Sequence, residues 1–208
     1  MGPALHAIQV NHRYEQGPLW KAPLTLSLKA PQAIAITGPN GSGKSTLLTI
    51  LGGLLQPTEG QVLFSLAGKT LSPALWRYHL IWVSPHLTPP PDLTVQDLVQ
   101  TYVRFKGLDL SHPLLEAIHL KSRMSAPLSH LSSGQRQRLL LGLTLSTPSP
   151  ILLLDEPTAF LDDKWKSIFH EEVSKIIRQG KSLIICATND PSEAALFPES
   201  LYLATYAA

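Results

Sequence analysis

Cysteine is almost missing from this chain: Cys186 is the one example in 208 residues. A lone cysteine excludes a disulfide framework within the chain and fits a reducing compartment. It stands inside the apolar run Leu183-Ile184-Ile185-Cys186, which marks it as a core residue rather than a reactive thiol. Charge is also scarce. Charged residues make up 15% of the chain, against about a quarter in an average protein, so apolar surface that meets another molecule is expected. Neither sign dominates, with 17 basic and 15 acidic residues, which speaks against a nucleic-acid partner. No apolar run approaches the roughly 20 residues of a membrane helix. The segment from Met1 to Val10 has no apolar stretch of the kind a secretory signal needs. Work at a membrane would therefore require a partner. There is no internal repeat and no low-complexity tail.

What is present is an alternation of short aliphatic runs with longer helical patterns. Residues 33–37 read as a strand that runs straight into a glycine-rich turn, and residues 44–54 as a helix that Gly52 and Gly53 weaken at its end. Residues 61–64 and 80–83 read as further strands. Residues 151–154 and 182–187 are apolar on both faces, as buried parallel strands are. Between them Trp165, Ile168, Phe169, Val173, Ile176 and Ile177 recur at helical spacing, and Gly180 closes the helix 163–179. This is a right-handed βαβ unit. Residues 7–10 and 24–28 read as strands with no helix between them, a small antiparallel layer. Residues 87–146 differ: a proline-rich loop is followed by helices near 94–105, 113–119 and 132–145. The first opens on Thr94-Val95-Gln96-Asp97, a capping box with aspartate in place of glutamate.

Two motifs carry chemistry on their own terms. Gly38-Pro39-Asn40-Gly41-Ser42-Gly43-Lys44-Ser45-Thr46 matches the phosphate-binding pattern G-x-x-x-x-G-K-[ST], in the strand-to-helix context that the pattern requires. Glycines let successive N–H groups converge on phosphate oxygens, and the helix N-terminus adds its positive dipole end. Lys44 brings a cation to the β- and γ-phosphates, and the Ser45 hydroxyl can ligate Mg²⁺. Ile151–Leu154 then delivers Asp155 and Glu156 to the same sheet edge. Asp155 is placed to hold Mg²⁺, and Glu156 to act as general base or to orient the attacking water.

Leu131-Ser132-Ser133-Gly134-Gln135, upstream of that strand, narrows the class. Here the sequence resembles the ABC ATPase family, whose signature is Leu-Ser-Gly-Gly-Gln. Ser133 stands where glycine is usual. A serine at a helix N-terminus makes a second anion site, and in the family it serves the ATP held by the other subunit. The resemblance covers essentially the whole chain. It implies an α/β fold: a P-loop NTPase (RecA-like) core with a small antiparallel β layer and an α-helical insert. Residues 1–208 would form one domain, with 1–86 and 147–208 as core and β layer and 87–146 as helical subdomain. It implies that ATP and Mg²⁺ bind, that Ser132, Ser133, Gly134 and Gln135 contact nucleotide, that Asp162 in Ala159-Phe160-Leu161-Asp162 crosses a dimer interface, and that Tyr14 stacks on adenine. The partners implied are an integral membrane permease and a second ATPase subunit, at the inner face of the cell membrane. The compactness resembles exporter-type ATPases, including that of cytochrome c maturation.

Two departures stand out. The family's switch histidine is here Asn189, in Thr188-Asn189-Asp190, which can donate an amide N–H to the γ-phosphate but cannot become cationic. The family's Q-loop glutamine is here His86, after Val83-Ser84-Pro85. His86 is carried over as a candidate catalytic and Mg²⁺-contacting group, although Mg²⁺ prefers oxygen. Three functions are expected in descending order: a transport ATPase; an ATP-gated subunit that hydrolyses little or nothing; and a non-transport ABC ATPase, which the missing coiled coil and the single head disfavour.

Overall fold

Two fully buried strands set the centre of the fold. The computed structural model describes residues 2–85 and 89–203, so His86 lies outside the described residues. The strands are β1 (Ala4–Asn11), β2 (Arg13–Tyr14), β3 (Gly17–Pro18), β4 (Leu24–Lys29), β5 (Ala33–Thr37), β6 (Glu59–Leu66), β7 (Lys69–Leu71), β8 (Leu80–Val83), β9 (Ile151–Asp155), β10 (Leu183–Ala187) and β11 (Glu199–Tyr202). The helices are α1 (Lys44–Leu51), α2 (Pro73–Trp76), α3 (Val95–Lys106), α4 (Pro113–Ala117), α5 (Ser133–Leu145), α6 (Asp163–Gln179) and α7 (Pro191–Ala194). Every residue of β9 and β10 is buried, as expected of runs rich in leucine and isoleucine with no polar alternation. No helix among the described residues is long and apolar enough to cross a membrane.

The chain divides into two compact units, Met1–Trp82 with Pro150–Glu156 and Ser174–Ala208, and Val83–Ser149 with Pro157–Val173. The first holds an antiparallel sheet of order β4-β1-β6-β7, and the central strands of a five-stranded sheet of order β11-β5-β10-β9-β8. In the latter, β11, β5, β10 and β9 pair in parallel, with Ala187 beside both Ile36 and Asp155. The ends of β5, β9 and β10 therefore share one edge. Leu47, Leu48, Ile50 and Leu51 of α1 join the core formed by Ile36, Leu153 and Ile185. The Cys186 thiol has no exposed surface, and burial pushes its pKa well up. The second unit packs α3 and α5 around Val95, Val99, Leu128, Leu139 and Leu143. The division falls within α6.

Most expected elements form, with shifted ends. The helix after the phosphate loop stops at Leu51 rather than residue 54. There Gly53, at φ +71°, turns the chain so that Gly53 and Leu54 N–H groups bond back to Ile50 and Thr49. The strand expected at 61–64 extends over Glu59–Leu66, because β1 and β7 pair along it. The Thr94 capping box forms in full: Thr94 N–H donates to Asp97 Oδ2 at 2.9 Å and Asp97 N–H to Thr94 Oγ1 at 3.2 Å. Leu153 has no exposed surface. Leu153→Ala is expected to cost about 2–5 kcal/mol of stability, read from the denaturant midpoint at unchanged slope.

Candidate nucleotide-binding site

The phosphate loop begins where β5 ends. Gly38, Gly41 and Gly43 take φ values of +144°, +83° and +92°, which lets the main chain curl tightly before α1. Gly43 is the helix N-cap and makes no side-chain cap, which leaves the first amides of α1 without a capping side chain. Lys44 is 6% exposed. Its Nζ donates to the carbonyls of Gly38 at 2.8 Å and Pro39 at 3.2 Å. Burial lowers its pKa, and the nearby Glu156 and Asp155 carboxylates oppose that shift.

Asp155 ends β9 and is 1% exposed. Its Oδ1 accepts the Ser45 hydroxyl at 2.9 Å. A carboxylate and a hydroxyl converging on one point form a hard-oxygen pair of the kind that Mg²⁺ selects. Among the described residues no group of three or more His, Cys, Asp or Glu side chains could hold a metal. Any such ion would need oxygens from its nucleotide, as Mg²⁺ commonly does.

Glu156 turns out of the strand with φ +43°, a left-handed conformation costing roughly 1–2 kcal/mol for a residue with a side chain. Its N–H is held by the Ala187 carbonyl at 2.8 Å, and its Oε2 accepts the Asn189 N–H at 3.4 Å. Burial raises the Glu156 pKa above the ordinary carboxylate range. The hydrogen bond from Asn189 and the charge of Lys44 oppose this, while Glu193 and Asp155 add to it. The Asn189 amide donates Nδ2–H to Asn40 Oδ1, which ties the loop after β10 to the phosphate loop. Tyr14 is 46% exposed, and its hydroxyl shares a hydrogen bond with Thr46 Oγ1 at 3.1 Å. The His12 ring meets the Tyr14 ring edge-on at 4.8 Å.

Residues 38–46 with Tyr14, Asp155, Glu156 and Asn189 are thus brought together in the first unit. The remaining described candidates lie in the second. Ser132 Oγ accepts the Gln135 N–H at 3.2 Å, and Gln135 Oε1 accepts the Ser132 N–H at 3.1 Å. This reciprocal box caps α5. Gly134 lies against the Phe160 carbonyl, where a β-carbon would stand 3.0 Å from that oxygen. Gln137, nearly fully buried, donates to the Pro157 carbonyl at 2.7 Å. Asp162 Oδ1 accepts the Trp165 N–H at 2.9 Å, at the start of α6.

Sequence reasoning missed one part of the site. Trp20 donates its indole N–H to the Ser42 carbonyl at 3.0 Å. Asn11 in turn donates Nδ2–H to the Trp20 carbonyl at 2.9 Å and accepts the Trp20 N–H at 3.3 Å. Neither residue falls in a spaced motif, so no local signal marks them.

Comparison with known proteins identifies the family. The ABC transporter family profile matches residues 22–159. The cytochrome c biogenesis ATP-binding export protein of Brucella abortus is 35% identical over 171 residues, covering 81% of this chain and 77% of that protein. The Nod factor export ATP-binding protein I of Burkholderia orbicola is 32% identical over 170 residues, covering 78% of this chain and 55% of that protein. Among solved structures, an ATP-binding subunit of an ABC transporter superposes with a TM-score of 0.80 at 22% identity, covering 96% of this chain and 86% of that one. A dimeric ATP-binding cassette in a post-hydrolysis state with ADP and phosphate gives 0.79 at 26% identity, covering 95% and 93%. On the family profile and the 35% identity to an ATP-binding export protein, this chain belongs to the ABC transporter family, as an ATP-binding and ATP-hydrolysing subunit.

Proposed function

We propose that this subunit hydrolyses ATP at residues 38–46, Asp155, Glu156 and Asn189, and that two ATPase subunits, alike or different, close around two nucleotides to drive a permease in the membrane. The observation that carries this is the Ser45–Asp155 pair with Lys44 and Glu156 beside it. Ser45 and Asp155 would hold Mg²⁺, which when bound would neutralise negative charge on the phosphates. Lys44 and the loop amides bind the phosphates. Glu156 takes the proton from, or orients, the water that attacks the γ-phosphorus. Asn189 donates its amide N–H to the γ-phosphate, and Tyr14 stacks on the base. In the sequence His86 takes the place of the Q-loop glutamine, the position that couples such a subunit to its permease. In the second unit, Ser132, Ser133, Gly134 and Gln135 present the α5 N-terminus to the nucleotide of the other subunit, and Asp162 joins the same interface.

On this reading residues 1–208 act as one ABC-type ATPase domain, with 1–86 and 147–208 as nucleotide core and 87–146 as helical subdomain. The subunit works on the inner face of the cell membrane. The similarity to proteins named as export ATPases supports export over import. Phosphate release by the purified protein, with Mg²⁺ and then with excess EDTA, tests the site. Turnover that persists in EDTA would overturn the Ser45–Asp155 assignment. Reconstitution with a multi-span partner tests coupling, since a rate unaffected by any such partner would remove the transport role.

Asn189 gives a sharper expectation. Asn189→Ala should lower kcat about tenfold or more, by removing one neutral donor to the transition state. Asn189→His should restore activity and introduce an inflection near pH ~6.5 in the rate profile. The unmodified protein should lack the histidine inflection and keep only the acid limb set by Glu156, because an amide does not titrate.

A further inference from the structure

Trp20 belongs to none of the motifs, yet it reaches the phosphate loop directly. It has no exposed surface, and its one polar side-chain atom, Nε1, donates to the Ser42 carbonyl at 3.0 Å. The Ser42 carbonyl and the Gly43 N–H belong to one peptide plane, and in a trans peptide they point in opposite directions. Holding the carbonyl toward the indole therefore aims the Gly43 N–H away from the buried side of the loop.

That orientation needs a lock. Gly43 sits at φ +92°, and glycine accepts positive and negative φ about equally well. The Ser42–Gly43 peptide is thus the kind that flips readily. After a flip, a carbonyl oxygen would face the ligand where an N–H is wanted, and would repel an anion. The packing leaves no room for a side chain to impose the conformation: a β-carbon on Gly43 would stand 3.0 Å from Trp20 Nε1 and 2.6 Å from Leu19 Cδ2. Trp20 is itself fixed. Asn11, 4% exposed, binds both its backbone carbonyl and its backbone N–H, and the neighbouring Leu19 N–H donates to the His12 carbonyl at 2.7 Å.

We propose that Trp20 is a positioning residue for nucleotide phosphates: its indole N–H sets the Ser42–Gly43 peptide so that the Gly43 N–H faces the diphosphate of a bound nucleoside di- or triphosphate. The inference rests on nucleotide binding at this loop. Its energetic basis is preorganisation. A nest of amides already aimed at the ligand needs no reorientation on binding, whereas a peptide that samples both orientations must be ordered each time.

Trp20→Phe removes the donor and keeps an aromatic ring. Replacement of Trp20 by benzothienylalanine keeps the indole shape and removes only the N–H, so it stands in if the phenylalanine variant does not fold. In either, titration calorimetry should show ADP binding weakened about tenfold, with AMP, which lacks the β-phosphate, changed less than about twofold. The KM for ATP should rise in step with the ADP effect while kcat stays within about twofold, the mark of uniform binding lost rather than chemistry lost. ADP affinity within twofold of the unmodified protein, in a variant that still melts cooperatively, would overturn the proposal. So would equal weakening of ADP and AMP, which would mean that the segment as a whole had moved. If the unmodified protein bound no ADP, the nucleotide site itself would fail, a result separate from either of these.

Discussion

Glu156→Gln is expected to reduce ATP turnover by about 10²–10⁴-fold while leaving ATP affinity within a few fold. The range is that of a positioned general base or water-orienting group. Glutamine keeps the size of the side chain and can still hydrogen-bond a water, but it cannot take the proton. Binding should survive because, in the proposed site, the Gly38–Thr46 loop and Lys44 hold the phosphates and Glu156 does not. The backbone should survive too: Glu156 sits at φ +43°, and both residues bear that strain alike. Burial lifts the Glu156 pKa, which makes the carboxylate a stronger base and places its protonation above the ordinary carboxylate range. Activity should therefore be lost as pH falls through that raised pKa, on the acid limb of kcat/KM, and the limb should vanish in the glutamine variant. Stopped turnover with retained nucleotide should also accumulate an ATP-bound dimer, read by size-exclusion chromatography. Undiminished phosphate release from Glu156→Gln would remove Glu156 from the chemistry.

Lys44→Ala is expected to weaken ATP binding by about tenfold to a hundredfold, since a hydrogen bond to a charged group is worth about 1.5–3 kcal/mol, and to abolish measurable turnover at ordinary ATP concentrations. The structure adds a reason for the large effect. Lys44 is the cation whose charge acts on both Asp155 and Glu156, and it is buried at the root of the loop. Removing it leaves two carboxylates facing a polyphosphate with one fewer positive charge between them. The desolvation that lowers the Lys44 pKa disappears with the side chain, so the folded protein should lose little stability. Equilibrium binding followed by thermal melting separates the two effects. Unchanged nucleotide affinity in a folded Lys44→Ala protein would contradict the site.

The phosphate loop was legible because it is local. Glycines at 38, 41 and 43, a lysine and a serine in fixed register dictate a backbone and a chemistry within nine residues, and the flanking strand and helix confirm them. The β9 strand was legible because a run of four aliphatic residues has nowhere to go but a buried sheet, and its end must carry Asp155 and Glu156 to the sheet edge. Helix ends were less legible. Gly52 and Gly53 weaken a helix without fixing where it ends, and the stop at Leu51 was decided by the positive φ of Gly53 and by the Gly53 and Leu54 N–H groups that satisfy the Ile50 and Thr49 carbonyls.

The sequence by itself thus determined the nucleotide chemistry, the parallel core and the family, since each is written in residues a few positions apart. Only the tertiary structure decided that Ser45 meets Asp155 across 110 residues, that Asn189 meets Asn40 across 149, and that a tryptophan outside every motif holds the Ser42 carbonyl. The physical reason is the same for all three. A hydrogen bond between distant residues depends on strand order and on which faces are buried together, and neither quantity is carried by the spacing of residues along the chain.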